Sequence, residues 1–419
     1  MTAGHAAQTP SAETPGTPPG RRARLALVVT HPIQYYAPLY RRLAARSDLD
    51  VRVFFTWHAG QSEVFDQGFE KPIAWDIPLL DGYDWEAVPN SALHPGSDRF
   101  WGIQNSELSQ RVLAWQPDAV HVTGYAFASH LQLLRRLSSR GVPSLFRGDS
   151  TLLTPAPFWK AALKQLLLRR VFRYPAAFLY VGAHNRRYYE FYGVPPERLF
   201  ACPHSIDVER FAAGAEAAEE DARGWRESLG LGAQRRVLLF CGKFEDKKQP
   251  LALMKALADW PDPNVALVLV GDGPLGGAVR ELAGQFPERF RVLPFQNQSR
   301  MPSVYRLGEM LVLPSSGWET WGLAVNEAFA CRRPALVSDQ VGAAPDLIVP
   351  GETGEVFRAG DWGDFRAKLA GMLVEGERLR RMGEAAYRLI QQFSIAATAE
   401  GVMKAFCAVT ARRSQSAAR

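Results

Sequence analysis

The chain has 419 residues, nearly half of them apolar, which is too long for one ordinary core and predicts two or three domains. Lys and Arg exceed Asp and Glu by 49 − 43 = +6, thinly spread and partly held in ragged ends (Arg21, Arg22, Arg24; Arg412, Arg413, Arg419). With no basic run interleaved with aromatics, this gives no footing for a nucleic-acid partner, but it suits a phosphate site or an anionic membrane surface.

The first residues, 1–22, are rich in Pro, Thr, Ala and Gly and have no apolar segment, so they read as a disordered tail and not as a secretory signal. Strand-like runs then alternate with helix-like segments. The runs are "RLALVVT" (24–30), "DVRVFFT" (50–56), "DAVHVT" (118–123), "VPSLFRG" (142–148) and "AAFLYVG" (176–182). Near-continuous apolar strands in β-α-β alternation predict a parallel sheet covered on both faces. From about 207 to 234 the pattern pauses in a polar, Ala- and Gly-rich stretch without a strand. It restarts with "RRVLLFCG" (235–242), "NVALVLVG" (264–271), "FRVLPF" (290–295), "EMLVLP" (309–314), "RPALVSD" (333–339) and "TGEVFRA" (353–359), and is helical from about 361. The expected architecture is α/β, with two doubly wound, Rossmann-like parallel-sheet domains over 23–206 and 207–395. A terminal helix over 396–419 is free to pack back on the first domain. In such sheets ligands bind at the carboxyl ends of strands, and here also in the cleft between the domains.

Residues 271–276, G-D-G-P-L-G, satisfy the dinucleotide spacing G-x-G-x-x-G after a strand and before a helix. That fingerprint also needs a carboxylate at the end of the next strand to hold the ribose. The next strand ends in Gln296-Asn297-Gln298, so a hydride-transferring, NAD-type reading lacks its partner residue, and a tight strand-to-helix turn at the cleft is favoured. Asp48-Leu49-Asp50, the sole D-x-D, precedes a strand and reads as a solvated turn, not a metal pair. The four cysteines are far apart, so no C-x-x-C metal or redox pair exists, and they read as free thiols of a reducing, cytoplasmic compartment.

Two stretches carry chemistry. In "FCGKFEDKKQP", Gly242 ends a strand and Lys243, Lys247 and Lys248 crowd the next loop, the pattern of a phosphate clamp. The alternative is an exposed basic helix start, which the helix dipole disfavours unless an anion is bound. In "LPSSGWETWGLAVNEAFA", Glu319 precedes a helix expected to begin near Trp321-Gly322, and Glu327 follows eight positions later. The first amides of that helix, at Gly322 and Leu323, offer an anion site, and glycine lets a ligand approach. A carboxylate beside such a site suits sugar or ribose hydroxyls. The plainer alternative is a helix-start Glu319 and a solvated Glu327.

These residues resemble the retaining glycosyltransferases of family 4, the glycosyl transferases of group 1, which have the GT-B fold. The resemblance rests on Gly242-Lys243 through Lys248, the G-D-G-P turn at 271–274, the E-x7-E pair within "ETWGLAVNEA", "VGAAPDLIVPGETGEVF" (341–357) and the hinge-like "ACPHSIDVERF" (201–211), and covers about 177–395. It implies that Lys243 and Lys248 hold the donor diphosphate and Glu319 lies against the donor sugar. It further implies that Glu327 holds the ribose, while Gly322 and Leu323 bind phosphate and sugar through their amides. Gly242, Gly271 and Gly273 then line the donor side. Lys243 departs from the usual Arg and loses bidentate geometry. The first-strand loop His31-Pro32-Ile33-Gln34-Tyr35 has no glycine where many family members carry two.

At other strand ends, His31, Gln34, His121, Arg147 and Asp149 are acceptor-side or cleft candidates. The loops near His31, Phe65–Pro72 and Trp85–Trp101 are expected to shape the acceptor site. The implied reaction moves a sugar from a nucleotide-diphosphate donor to a carbohydrate or lipid-linked acceptor, with no cofactor and no metal. A non-catalytic nucleotide-sugar binder is the other alternative. The stretch 157–175, "PFWKAALKQLLLRRVFRYP", sets five cations among Trp, Leu and Phe. That is either an interfacial helix meeting an anionic membrane or a helix whose apolar side packs on the first sheet.

Overall fold

The computed structural model describes residues 21–57, 64–66, 69, 71–153 and 157–417. The tail expected over 1–22 lies outside the described residues up to position 20. Arg21 and Arg22 are tied to the first domain, Arg21 by Asp118 at 2.5 Å and Arg22 by the carbonyls of Arg46 and Leu49 at 2.6 Å.

The first domain comprises β1 (Ala23–Val29), β2 (Leu49–Phe55), a separate antiparallel hairpin of β3 (Val64–Asp66) and β4 (Lys71–Ile73), β5 (Asp84–Ala87), β6 (Ala119–Thr123), β7 (Ser144–Arg147), β8 (Ala177–Tyr180) and β9 (Leu199–Ala201). Apart from the hairpin they form one parallel sheet, ordered β5-β2-β1-β6-β7-β8-β9. Period-2 alternation sends Leu25, Leu27 and Val29 to one face and Ala26 and Val28 to the other, and both faces are buried. The edge strands β5 and β9 have no place in the sequence expectation. Each is short and half exposed, so neither carries the apolar run that marks a buried strand.

The second domain holds β10 (Arg236–Cys241), β11 (Val265–Val270), β12 (Phe290–Leu293), β13 (Met310–Leu313), β14 (Ala335–Ser338) and β15 (Gly354–Phe357). They too are all parallel, ordered β12-β11-β10-β13-β14-β15, and buried on both faces. Each sheet thus reverses its winding once, between β1 and β6 and between β10 and β13. Crevices at the carboxyl ends of such strand pairs are where doubly wound sheets bind ligands. The polar stretch that interrupts the strand pattern is helical over Val208–Ala212 and Ala215–Ser228. Its Glu219 meets Arg333 of the second domain at 2.8 Å.

The chain crosses between domains twice, side by side. Ile206 on the way out forms a bridge with Ser394 on the way back, and Thr398 Oγ1 donates to the Pro203 carbonyl at 2.9 Å. The last helix, Ile395–Ala417, then lays Val402, Ala405, Phe406 and Val409 against the β1 face that Leu39, Tyr40 and Leu43 also cover.

Candidate active site

The loops after β10 and β11 touch through their backbones. Gly242 N donates to the Val270 carbonyl at 3.0 Å, and a Cβ on Gly271 would lie 1.9 Å from the Gly242 oxygen. Gly271 also sits at φ +155° and Gly273 at +145°. Phe244 N donates to Asp272 O at 2.8 Å, and Leu275 N returns the bond to Phe244 O at 2.9 Å. The G-D-G-P turn is therefore a brace under the lysine-bearing loop.

The three lysines of that loop diverge, which corrects the expectation of one crowded clamp. Lys248 is ion-paired with Glu319, and both side chains are largely buried. Lys247 turns to Glu245 at 3.2 Å. Lys243 crosses to the first domain, where its ammonium lies 5.0 Å from the Phe69 ring, which itself packs edge-on against Phe295 at 4.7 Å.

Glu319 is fixed from several sides. Ser315 Oγ donates to its carboxylate at 3.0 Å, its carbonyl accepts from Gly342 N at 3.0 Å, and its backbone pairs with Val341. Positive φ at Gly317, Trp318 and Gly322 lets the loop fold over before the helix Leu323–Ala330, which begins slightly later than the sequence suggests. The first amides of this helix have no intrahelical acceptor and carry the positive end of its dipole. Trp321 Nε1 donates to Asn326 Oδ1 at 2.8 Å, and Asn326 Nδ2 to the His204 carbonyl at 3.1 Å, locking the helix to the interdomain crossing.

Glu327 is not the solvated residue of the plainer alternative. It is buried, with Tyr305 Oη donating to one oxygen at 2.6 Å and Tyr35 Oη, from the first domain, to the other at 3.0 Å. Burial raises its carboxyl pKa above the ordinary 4.5, and the tyrosine hydrogen bonds only partly oppose the rise. The same burial, together with Glu327, pushes the neighbouring Cys241 thiol up to about 12. A carboxyl that holds its proton more tightly when folded contributes stability at low pH, and that stability is lost as pH rises from 4.5 through the folded value. Glu327→Gln, which cannot titrate, is therefore expected to gain stability relative to the parent as pH rises from about 4 to 7. Denaturation midpoints across that range check it; a constant difference would contradict the raised pKa.

On the facing domain, Asp149 is exposed and accepts from Thr320 Oγ1 at 2.9 Å, one residue beyond Glu319. His31 lies beyond β1 with Nδ1 2.9 Å from Thr30 Oγ1, and Gln34 hydrogen-bonds Tyr35. The other two cleft candidates lie elsewhere. Arg147 is buried, donating to the Cys202 carbonyl at 2.8 Å beneath the Tyr36 ring, because a guanidinium at the last position of β7 reaches the crossing strand. His121 is mid-strand in β6 and buried, and neither ring nitrogen has a partner. Burial and the nearby Arg147 lower its pKa to about 3.

Sequence reasoning missed Tyr35, Tyr305, Ser315, Thr320 and the Asp76–Ser299 contact, which hold the candidate residues or join the two domains. Asp76 accepts from Ser299 N at 3.1 Å, and Asn297 Nδ2 donates to the Ala74 carbonyl at 2.6 Å, tying the loop after β4 to the loop after β12 across the domains. Ser315 and Asp76 lie within three residues of a strand end, but Tyr305 is inside the helix Met301–Leu307 and no residue type marks the set. Among the described residues no cluster of His, Cys, Asp or Glu could hold a metal, and no helix is long and apolar enough to cross a membrane.

The family model described as "Glycosyl transferases group 1" matches residues 221–389. A D-inositol 3-phosphate glycosyltransferase of Nocardia farcinica is 33% identical over 234 residues, 53% of this chain and 50% of that protein. Another, of Segniliparus rotundus, is 27% identical over 363 residues, 78% of this chain and 77% of its own length. The chain thus spans only about half the length of several curated relatives that it matches. Among solved structures, Anabaena HepE in complex with UDP and glucose superposes with TM-score 0.67 at 16% identity, over 91% of this chain and 99% of that one. Sucrose-phosphate synthase from Thermosynechococcus elongatus gives 0.69 at 18%, over 93% and 100%. This chain accordingly has the GT-B fold, and its second domain belongs to the glycosyl transferases of group 1.

Proposed function

We propose that the protein is a retaining glycosyltransferase that moves a sugar from a nucleoside-diphosphate donor to an acceptor hydroxyl, in the synthesis of a cell-surface polysaccharide or glycolipid. The observation that carries the reading is the Lys248–Glu319 pair at the β10/β13 reversal, beside the first amides of the helix Leu323–Ala330. In this reading the second domain takes the donor and the first the acceptor. As the bond from the anomeric carbon to the diphosphate breaks, charge grows on the β-phosphate. In this reading Lys248, Lys243 and the helix amides stabilise that charge, without a metal. Glu319 lies against the sugar, and the acceptor oxygen bonds to the anomeric carbon while its proton leaves with the phosphate. The relatives' name, which carries a hydroxyl-rich acceptor, and UDP and glucose in HepE support this class of substrates. An NAD-type oxidoreductase is disfavoured because β12 runs out into Pro294, Phe295, Gln296 and Asn297 with no ribose carboxylate.

Thermal-shift measurements are expected to show stabilisation by UDP or GDP and none by NAD. A nucleotide-sugar panel is expected to show slow hydrolysis that persists in EDTA. Stabilisation by NAD alone would reject the transferase reading. Nucleotide binding with no turnover of any donor would reduce the protein to a binder, and loss of turnover in EDTA would remove the metal-free mechanism.

A further inference from the structure

The helix Phe158–Val171 carries its apolar residues on the outside. Phe158 is 89% exposed, Trp159 64%, Leu163 62%, Leu166 74% and Leu167 54%, while only Leu168 and Val171 enter the core. At 100° per residue, Trp159, Leu163 and Leu166 form one stripe, opposite Leu168 and Val171. A globular helix has this the other way round; of this stretch only Leu168, Val171 and Phe172 pack in the first domain's core, and the rest of its apolar side faces outward.

The charges around the stripe have one sign. Residues 157–175 contain Lys160, Lys164, Arg169, Arg170 and Arg173 and no acidic residue. Lys160, Lys164, Arg169 and Arg170 are all exposed, Lys164 turning over the rings of Tyr188 and Tyr192 at 5.1 and 5.9 Å. Lysine is depleted at the centre of protein–protein interfaces. Exposed Trp, Phe and Leu flanked by uncompensated Lys and Arg match a surface of apolar chains beneath anionic headgroups. The helix is too short to span a bilayer, so it lies along the surface.

We propose that the helix Phe158–Val171 seats the protein on the face of a bilayer containing anionic lipid, with Trp159, Leu163 and Leu166 in the acyl boundary and Lys160, Arg169 and Arg170 among the headgroups. Resting on the transferase reading, the consequence is a lipid-linked acceptor. The helix begins nine residues after Asp149, at the cleft, so a membrane under it brings a lipid headgroup to the acceptor side.

Co-sedimentation of the full chain with phosphatidylcholine vesicles, with and without phosphatidylglycerol, tests this independently of any turnover. Binding is expected only with phosphatidylglycerol and is expected to weaken with salt. Glu replacements at Arg169 and Arg170 are expected to lower partitioning by at least about fivefold each, and Leu163→Glu with Leu166→Glu to abolish it. Being exposed, these positions are expected to leave the melting temperature and nucleotide-induced stabilisation unchanged. Absence of binding at low salt, equal binding to neutral vesicles, or binding untouched by the variants would each overturn the proposal. So would a concentration-dependent dimer that the leucine variants dissolve, since the stripe would then be an interface between copies of the chain.

Discussion

Glu319→Ala is expected to lower sugar transfer by about 10²- to 10³-fold while the chain stays folded. The carboxylate is held by Lys248 and Ser315 at the carboxyl end of β13, so it is pre-aimed and not free to drift. Removing it takes away the group proposed to face the donor sugar and releases Lys248 from its partner. Glu319→Gln separates these effects. It keeps the shape and can still accept from Ser315, but it has no charge for Lys248. If the loss is chemical, both variants lose kcat, and UDP or GDP still raises their melting temperatures. Near-normal transfer in Glu319→Ala would remove this residue from the mechanism. A loss confined to KM would make it a binding residue only.

Gly271→Ala is expected to be the most damaging small change in the second domain. Its φ of +155° is costly for a residue with a Cβ, about 1–3 kcal/mol. The added carbon would also overlap the Gly242 carbonyl. The overlap meets backbone, not a flexible side chain, so the loop bearing Lys243 and Lys248 has to move. For a domain of this size each kcal/mol lowers the melting temperature by about 2–4 °C, so a drop of roughly 10 °C is expected, together with weaker nucleotide binding. Gly277→Ala is the control, because a Cβ there meets nothing within 4 Å and the residue is helical. Its expected effect is neutral to about 1 kcal/mol stabilising. Equal behaviour of the two variants would show that the G-D-G-P turn does not brace the loop.

The buried scaffold was legible in the sequence because parallel strands covered on both faces are written as unbroken apolar runs. β6, β10, β11 and β13 all fall inside the runs that mark them, and β1 starts one residue before its run. β5 and β9 were not legible, since a half-exposed edge such as Asp84-Trp85-Glu86-Ala87 has neither run nor clean alternation. At the site, the positions after strand ends could be read, but not where their side chains turn. Lys243, Lys247 and Lys248 look like one cluster on paper, yet Glu245, Glu319 and Phe69 draw them apart. Glu327 shows the limit most clearly. Its neighbours Tyr305 and Tyr35 are 22 and 292 residues away in sequence, and that distance hides a buried, doubly capped carboxyl. His121 was misplaced for a simpler reason, because a strand's last apolar letter and its last paired residue differ by a position or two.

The final helix has a consequence for the order in which the molecule is made. Val402, Phe406 and Val409 cover the face of the first sheet that Leu25 and Leu27 present, beside Leu43. Domains usually fold from the N-terminus while the ribosome is still adding residues. Here the first domain to emerge is the last to be completed, because part of its apolar face waits for the helix Ile395–Ala417. The second domain has all its strands and their covering helices by Ile390 and is free to form first. The two halves of the chain are therefore joined in time as well as in space, and synthesis that halts before Ile395 leaves a finished second domain beside an unfinished first one.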